Sequence, residues 1–445
     1  MLLRHAAMGI HGDWGKIWKA EGTEFIDNKA HAGTVFVDGQ ILLMKSTVPE
    51  HGGSWQQYID SNFTRRLVAL HRQYETVILA FDNYEAVPLY KSIEQSRRVA
   101  TAQGKRAYAF AAGDSIPGRP PSREVWAGAL LNRVFKTSII SMIATVLARS
   151  YDPLLQRKVL ILDFMNVVRI EFAPYSRTET VLHEMQAMGE SDVKFMRYAD
   201  KFGDLVVESV DSDVVLIAML YTERTARRNK IYVKRIKSVS IDEDAGQKRK
   251  RVDSKKGKGL EYEVVCVNTL LQMLHSACRE AVGPELLIDE LHLTHILVCL
   301  MLLCGSDYSR SLPRVGAKVL WEMLDVVVPA FVAASHMGNA SSLVVDSDYC
   351  TDAVFGEIYR SKFANHVRTH ETTYAAVRAD LLKSKLSCAV KESIPTRAQI
   401  ECTLKNLSWV MSYWALDNTA PPMCEQGSHG FVVTDGLVRF ADTVS

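Results

Sequence analysis

The chain has 445 residues, of which 47% are hydrophobic and 23% are charged, so it can bury a large core in one large domain or two ordinary ones. Its net charge of +2 is too small to mark the whole molecule as a nucleic-acid binder. All eight cysteines follow residue 265 without C-x-x-C spacing, which argues against a disulfide framework or a zinc site.

Three β-branched runs each end in acidic residues. "GTVFVDG" ends at Asp38, "TVILAFDN" at Asp82, and "DLVVESVDSD" at Asp211 and Asp213. Continuous apolar runs are typical of parallel strands buried on both faces, and helical patterns lie between these runs. The sequence therefore predicts an α/β fold, a parallel sheet flanked by helices, with the acids at the edge where such sheets bind ligands.

The predicted helix before the third of these strands adds two more acids. In "GESDVKFMRYADKFG", apolar residues recur at helical spacing and Gly203 marks the end, while Glu190 and Asp192 fall in the first turn. Six converging carboxylates repel one another and require cations. Because oxygen ligands suit Mg²⁺ or Mn²⁺, we expect two such ions about 4 Å apart, one activating water and one stabilising a leaving oxygen of a phosphodiester.

Five blocks of the chain, in order, resemble those of the flap endonuclease (Rad2-type) family of 5′ structure-specific nucleases, which have a PIN-like fold. "MGIHGDWGKIW", from Met8, resembles the opening M-G-I-x-G-L, and "VFVDG" resembles the first metal-ligand strand. "FDNYEAVPLYKSIEQSRR" resembles F-D-G-x-P-P-x-K with its trailing arginines, while "GESDVKFM" and "VDSD" resemble E-A-E-A and E-D-x-D. "LLCGSDYSRSLPRVGAKVLWEML" is similar to the segment that contributes a last acid and a helix-two-turn-helix.

The resemblance implies roles for individual residues. The implied ligands of two Mg²⁺ ions, which Mn²⁺ can replace, are Asp38, Asp82, Glu190, Asp192, Asp211, Asp213 and Asp307. Lys91 and Arg98 match the basic pair that holds the scissile phosphate. The implied nucleic-acid contacts are Gly9, Arg97, Arg314, Gly316 and Lys318. The family's hairpin often binds a monovalent cation such as K⁺, and here Arg314 stands in place of its first glycine.

The segment between Arg98 and Gly189 departs from the family's helical arch. "AGDSIPGRPPSREVW" is a Pro/Gly loop, "WAGALLNRVFKTSIISMIATVLARSY" is one long helical pattern, and "RKVLILDF" is a further strand. This order resembles the related 5′→3′ exoribonucleases, as does "NLSWVMSYWALDNTAPP". We expect a metal-dependent nuclease that acts on branched, flapped or nicked DNA in replication, recombination or repair. The alternatives are a 5′→3′ exonuclease acting on RNA and a non-catalytic nucleic-acid-binding subunit.

The chain is predicted to divide into four parts. These are a first part of the nuclease core at 8–100, a divergent arch or cap at 101–158, a second part of the core at 159–330, and a C-terminal extension at 331–445. The second part contains the helix-two-turn-helix at 303–325 and a polar, basic insertion at 234–259, for which we expect disorder. Three roles fit that insertion: a nuclear address, a phosphate-binding tether or a solvated loop.

The remaining expectations concern the extension and the cellular setting. Trp409 and Trp414 are predicted to pack in a core rather than to stack on bases, and no sliding-clamp motif ends the sequence. The longest apolar runs are about half of a membrane-spanning helix, and "MLLRHAA" is too short for a signal peptide, with Met8 as an alternative start. DNA, with RNA as the alternative, is the expected partner, without a membrane, in the nucleus or at a cytoplasmic viral replication site.

Overall fold

A central sheet of eight strands organises the protein. The computed structural model describes residues 14–28, 32–48, 53–83, 108–153, 157–185, 189–209, 211–236, 262–284, 287–306, 309, 311–338, 343–415, 431–434 and 437–440. The strands of this sheet are β1 Thr34–Asp38, β2 Thr76–Ala80, β3 Lys158–Asp163, β4 Val167–Ala173, β5 Ser176–Val181, β6 Leu205–Glu208, β7 Ile231–Ile236 and β8 Tyr262–Cys266. Their order across the sheet is β5-β4-β3-β2-β1-β6-β7-β8.

The α/β prediction is confirmed, whereas the expectation of a parallel sheet holds only for its middle. β3, β2, β1, β6 and β7 are parallel, but β4 and β5 on one side and β8 on the other pair antiparallel. β4 and β5 are separated by two residues, and so short a connection joins antiparallel strands only. All six residues of β5 are exposed, so this edge strand has no apolar run from which a sequence reading could detect it.

Helices cover both faces of the sheet. The helices before residue 225 are α1 Trp14–Glu21, α2 Gly39–Lys45, α3 Trp55–Ile59, α4 Arg65–His71, α5 Arg123–Ala129, α6 Arg133–Ser150, α7 Ser191–Phe202 and α8 Asp213–Arg224. Those after it are α9 Val267–Val282, α10 Glu290–Leu302, α11 Ala317–Trp321, α12 Leu324–Ala334, α13 Ser347–Cys350, α14 Gly356–Lys362, α15 Tyr374–Lys383, α16 Cys388–Glu392 and α17 Arg397–Ala415. A π-helical turn, Asp60–Thr64, joins α3 to α4, and another, Thr351–Phe355, joins α13 to α14.

Successive residues of β1 point into two separate cores. Phe36 belongs to the core that contains α7, α8, α9 and α10. Val35 and Val37 belong to the opposite core, with α4 and α6. This alternation explains why the central strands are apolar without interruption, since both of their faces are buried.

The long helix predicted between Trp126 and Tyr151 is in fact two helices, α5 and α6, with a bend of 104° between them. The side chain of Asn132 accepts a hydrogen bond from the N–H of Phe135 at 3.0 Å and so caps the start of α6. The helical spacing of apolar residues continues through this point, so the sequence pattern does not reveal the break. α6 buries Phe135, Ile139 and Ile143 in the core, so 133–150 is core structure and not part of a cap. In the described ranges no single helix is long and apolar enough to cross a membrane, although the bent pair together would meet that criterion.

The C-terminal extension packs onto the same core as α8. Trp409 and Trp414 in α17 are 3% and 0% exposed, which agrees with their predicted place in a core. Two short antiparallel pairs complete this part: β9 Ser335–Met337 with β10 Leu343–Val345, and β11 Phe431–Thr434 with β12 Leu437–Phe440. The predicted insertion begins too early at residue 234, because 234–236 pair with β8 as the end of β7. The rest of it, 237–259, lies outside the described residues.

Candidate metal centre

The acids predicted at the strand ends lie on one edge of the sheet. β1 runs parallel between β2 and β6, so the carboxyl ends of the three strands are neighbours. Asp38 is the last residue of β1, Asp82 lies two residues beyond β2, and Asp211 and Asp213 follow β6. Three separate stretches of sequence therefore deliver their carboxylates to the same edge.

Ser191 links two of these carboxylates directly. Its Oγ lies 3.0 Å from Oδ1 of Asp38 and 3.0 Å from Oδ1 of Asp82. The backbone N–H of Ser191 also donates to Asp82 Oδ1 at 2.9 Å. Oδ1 of Asp38 and Oδ1 of Asp82 are therefore separated by no more than twice 3.0 Å. Glu190 and Asp192 flank Ser191 at the start of α7 and are 1% and 8% exposed, so they belong to the same buried region.

Two glycines allow the backbone segments to approach one another. A Cβ on Gly39, directly after Asp38, would lie 2.5 Å from the ring of Phe81 and 2.8 Å from the carbonyl oxygen of Ala80. Gly189 has a φ of 105° and accepts a hydrogen bond from the N–H of Asn83 at 2.8 Å. The first glycine lets β1 end against β2, and the second lets the chain turn into α7 beside Asp82.

Asp211 and Asp213 are held by a turn that leads into α8. The N–H of Asp213 donates to Asp211 Oδ1 at 3.0 Å, and the N–H of Asp211 donates to Ser209 Oγ at 3.1 Å. Asp213 is the first residue of α8 and is fully buried. A carboxylate beside the first turn of a helix is stabilised by the backbone N–H groups there, so this turn suits acids.

Burial and neighbouring acids raise the pKa of Asp38 from 3.8 to about 7. Burial is the largest cause and the charge of Asp82 the next, with Asp211 adding to them, while hydrogen bonds from Ser191 and Gln40 act in the opposite direction. A bound cation would offset both effects, because it stabilises the ionised carboxylate. Among the described residues at this edge the donors are carboxylate and hydroxyl oxygens, which fit Mg²⁺ or Mn²⁺ and not a soft metal.

The residues predicted to contact nucleic acid through the hairpin lie between α10 and α12. Arg314 is exposed with a left-handed φ of 66°, and its Nε donates to Ser393 Oγ at 3.3 Å. Gly316 precedes α11 with ordinary extended backbone. Lys318 has a side chain that is 81% exposed, 3.5 Å from Glu322. The hairpin therefore presents two basic side chains to solvent. Five predicted site residues lie outside the described residues: Gly9, Lys91, Arg97, Arg98 and Asp307.

Three residues at this edge were not singled out from the sequence. Ser191 lies between Glu190 and Asp192, where the resembling motif E-A-E-A has a small residue. Its uncharged hydroxyl could not be detected by a search for acidic residues. Asp163 ends "RKVLILDF" as Asp38 ends "GTVFVDG", so the same rule of an acid after an apolar run would have found it. Lys194 is fully buried against Asp163, at a distance of 2.7 Å, although a lysine is normally read as exposed.

A second cluster of possible ligands is already filled by a side chain. Oxygen and nitrogen atoms of Glu223, His275 and Glu290 lie within 4.8 Å of one another. The Arg227 guanidinium donates to Glu223 at 3.0 Å and to Glu290 at 2.9 Å, and lies 3.1 Å from His275 Nδ1. Burial and then Arg227 lower the pKa of His275 to about 4. Because a guanidinium neutralises these acids, we read the cluster as structural.

Basic groups surround Glu208 beside the carboxylates. Arg66 and Lys234 both pair with Glu208, the latter at 3.4 Å, and the Lys234 ammonium lies 5.0 Å from the centre of the Tyr262 ring. Lys45 is exposed at the end of α2 and interacts electrostatically with Glu208 and with Asp38. One acid and three bases leave a positive surface next to the acidic edge.

No protein-family model and no curated protein matches this chain. Among solved structures it is similar to the catalytic core of Rad2 in complex with DNA substrate, in complex II at 14% identity and in complex III at 12%. The matches cover 90% and 91% of this chain and 95% of each of those chains, with TM-scores of 0.37 and 0.36. This likeness is too distant to assign a function, which therefore rests on the chemistry of the site.

Proposed function

We propose that the protein is a divalent-metal-dependent phosphodiesterase that cleaves branched, flapped or nicked DNA near a 5′ end. The observation that carries this proposal is the contact of Ser191 with both Asp38 and Asp82, which gathers carboxylates from β1, β2 and α7 at one edge. A cluster of buried acids is unfavourable without cations, whereas the same cluster with Mg²⁺ suits phosphodiester hydrolysis.

The carboxylates would bind two metal ions in two groups. Asp38, Asp82, Glu190 and Asp192 would hold one ion, and Asp211 and Asp213, with Asp307, would hold its neighbour. The ions would supply charge stabilisation and an activated water. Ser191 orients Asp38 and Asp82 through its hydroxyl, and the turn at Asp211 fixes the second set. Lys91 and Arg98 would bind the scissile phosphate, since cationic donors stabilise the charge that develops there.

The positive surface around Glu208 supports a polyanionic substrate. Lys45 and Lys234 would contact backbone phosphates of the strand that leads to the acids. Replacing both by alanine should weaken DNA binding and reduce the salt dependence of the affinity by about two ion equivalents. Lys230→Ala is the matched control, because this exposed lysine precedes β7 at its opposite end. Equal salt dependence in the double variant and the control would contradict the assignment.

The decisive experiment is cleavage mapping with Mg²⁺ on a 5′ flap, a nick, a Holliday junction and a 5′-monophosphate RNA. We expect cleavage of flapped or nicked DNA, and Asp211→Ala should lose at least about two orders of magnitude in rate while retaining DNA binding. Asp325→Ala, an exposed acid in α12, should cleave normally. Preferred cleavage of the RNA would favour the exoribonuclease alternative, and binding without any cleavage would favour a non-catalytic subunit. We propose that the protein acts in the nucleus or at a viral replication site in the cytoplasm.

A further inference from the structure

A buried ion pair lies directly behind the carboxylates. Lys194 and Asp163 are both fully buried, with 2.7 Å between Nζ and Oδ1. The Lys194 ammonium also donates to the carbonyl oxygen of Phe81 at 2.8 Å, and the Tyr198 hydroxyl donates to Asp163 Oδ2 at 2.8 Å. These two acceptors of the ammonium lie at strand ends, Asp163 as the last residue of β3 and Phe81 directly after β2.

The position of the pair relates it to the candidate ligands on both sides. Lys194 is two residues beyond Asp192 in α7, and Phe81 is the residue before Asp82. Asp163 ends β3 beside Ala80 of β2, and its carbonyl oxygen accepts the N–H of Phe81 at 2.8 Å. One ammonium thus connects the helix that carries Glu190 and Asp192 with the segment that carries Asp82.

Stability alone gives a poor reason for such a pair. The positive N-terminal end of a helix disfavours a lysine in its first turns. Removing two charges from water costs free energy that a buried pair barely recovers, so an apolar pair of similar volume is commonly no less stable. An ion pair adds geometric specificity, because its hydrogen bonds favour one arrangement of the groups that they join.

We propose that Lys194, fixed by Asp163 and Tyr198, is a positioning residue that sets the distance between the acids of α7 and Asp82. This inference rests on the proposed function, because it concerns the same metal centre. The outer partners of metal ligands commonly change metal affinity tenfold or more when they are lost. Lys194 is fully buried and so cannot reach a substrate, and its effect would reach the ions through the backbone of α7 and of Phe81.

The test separates metal affinity from folding. In Lys194→Met/Asp163→Leu both charges are removed together, so no lone charge remains buried. We expect about a tenfold loss of Mn²⁺ affinity measured by titration, with a modest loss of thermal stability in EDTA because the Tyr198 hydroxyl and the Phe81 carbonyl lose these partners. The control is Lys201→Met/Glu184→Gln, an exposed pair at 3.2 Å that involves the far end of the same helix, which should leave both quantities unchanged. Wild-type Mn²⁺ affinity in the buried double variant would overturn the inference.

A milder variant keeps the test decisive if the double variant does not fold. Tyr198→Phe removes one hydrogen bond to Asp163 and preserves the ion pair. It should lower Mn²⁺ affinity by about fivefold, which corresponds to about 1 kcal/mol, the net contribution of one typical hydrogen bond, and an unchanged affinity would overturn the inference. The proposed function fails separately, if the wild-type protein binds Mn²⁺ but cleaves no nucleic acid.

Discussion

Asp38 should make the metal-free protein less stable than a variant that lacks its charge. The pKa of Asp38 is raised from 3.8 to about 7, chiefly by burial and then by Asp82. Each unit corresponds to about 1.4 kcal/mol, so Asp38→Asn should raise the free energy of unfolding by about 4 kcal/mol at about pH 7.5. The asparagine oxygen can still accept the N–H of Gln40, which Asp38 accepts at 2.8 Å, so the cap of α2 is preserved.

The pH dependence gives the sign of this effect. The folded state keeps the Asp38 proton up to about pH 7, whereas the unfolded chain loses it near 3.8. The unfolded state therefore binds fewer protons between these values, and the wild-type free energy of unfolding falls as the pH rises through them. Asp38→Asn lacks this loss, so the two proteins should be equally stable at about pH 4 and differ most above pH 7.

Urea denaturation in EDTA at both pH values is the assay. Subtracting the wild-type free energy of unfolding from that of Asp38→Asn at each pH removes the contributions of the titrating groups that the two proteins share. Mg²⁺ should then narrow the gap at neutral pH, because the wild-type protein gains binding free energy that the variant lacks. The electrostatic account of this edge would be refuted if Asp38→Asn were no more stable than wild type at about pH 7.5. It would also be refuted if the variant exceeded wild type by the same free energy of unfolding at about pH 4 as at about pH 7.5.

Gly39→Ala should lower the free energy of unfolding by about 1–3 kcal/mol and weaken Mn²⁺ binding, because the added Cβ would clash with Phe81 and Ala80. Gly33→Ala, whose Cβ would have no atom within 4 Å, should change neither quantity. Urea denaturation and Mn²⁺ titration measure the two effects. Arg314→Gly should stabilise the protein by about 1 kcal/mol in urea, because glycine adopts its φ of 66° without the Cβ penalty, and a loss of stability would contradict this reasoning. Burial lowers the pKa of His71 and of His275 to about 4, so the free energy of unfolding should fall by about 3 kcal/mol per histidine as the pH drops from 6.5 to 4, because the unfolded chain takes up the protons. The difference in free energy of unfolding between wild type and His71→Phe/His275→Phe, measured at each pH, should therefore change by about 6 kcal/mol between pH 6.5 and 4, and a difference that stays constant would contradict the assignment.

The strands that carry the acids were predictable because each is buried on both faces. Uninterrupted runs such as "TVFVD" and "TVILA" identify parallel strands, and the chemistry at their ends follows from the general geometry of α/β sheets. Gly203, predicted to end its helix, has a φ of 81° and follows α7 directly. These features depend on local pattern alone, which a sequence contains in full.

Other features depend on contacts between distant segments. β5 is wholly polar, and only its pairing with β4 makes it a strand. The break at Asn132 depends on a side-chain cap within a pattern that is periodic on both sides. Lys194 is buried only because Asp163, 31 residues earlier in the chain, lies opposite it. Polar residues in such places carry no periodic signal, so three-dimensional packing decides their role.

The most direct test of the central claim is a Mn²⁺ titration followed by electron paramagnetic resonance. If the carboxylates of β1, β2, β6 and α7 form one centre, the wild-type protein should bind two coupled ions, and Asp211→Ala should lose one of them or bind it far more weakly. Asp325→Ala should bind Mn²⁺ like the wild type. Failure of the wild-type protein to bind Mn²⁺, or binding that Asp211→Ala leaves unchanged, would contradict the account.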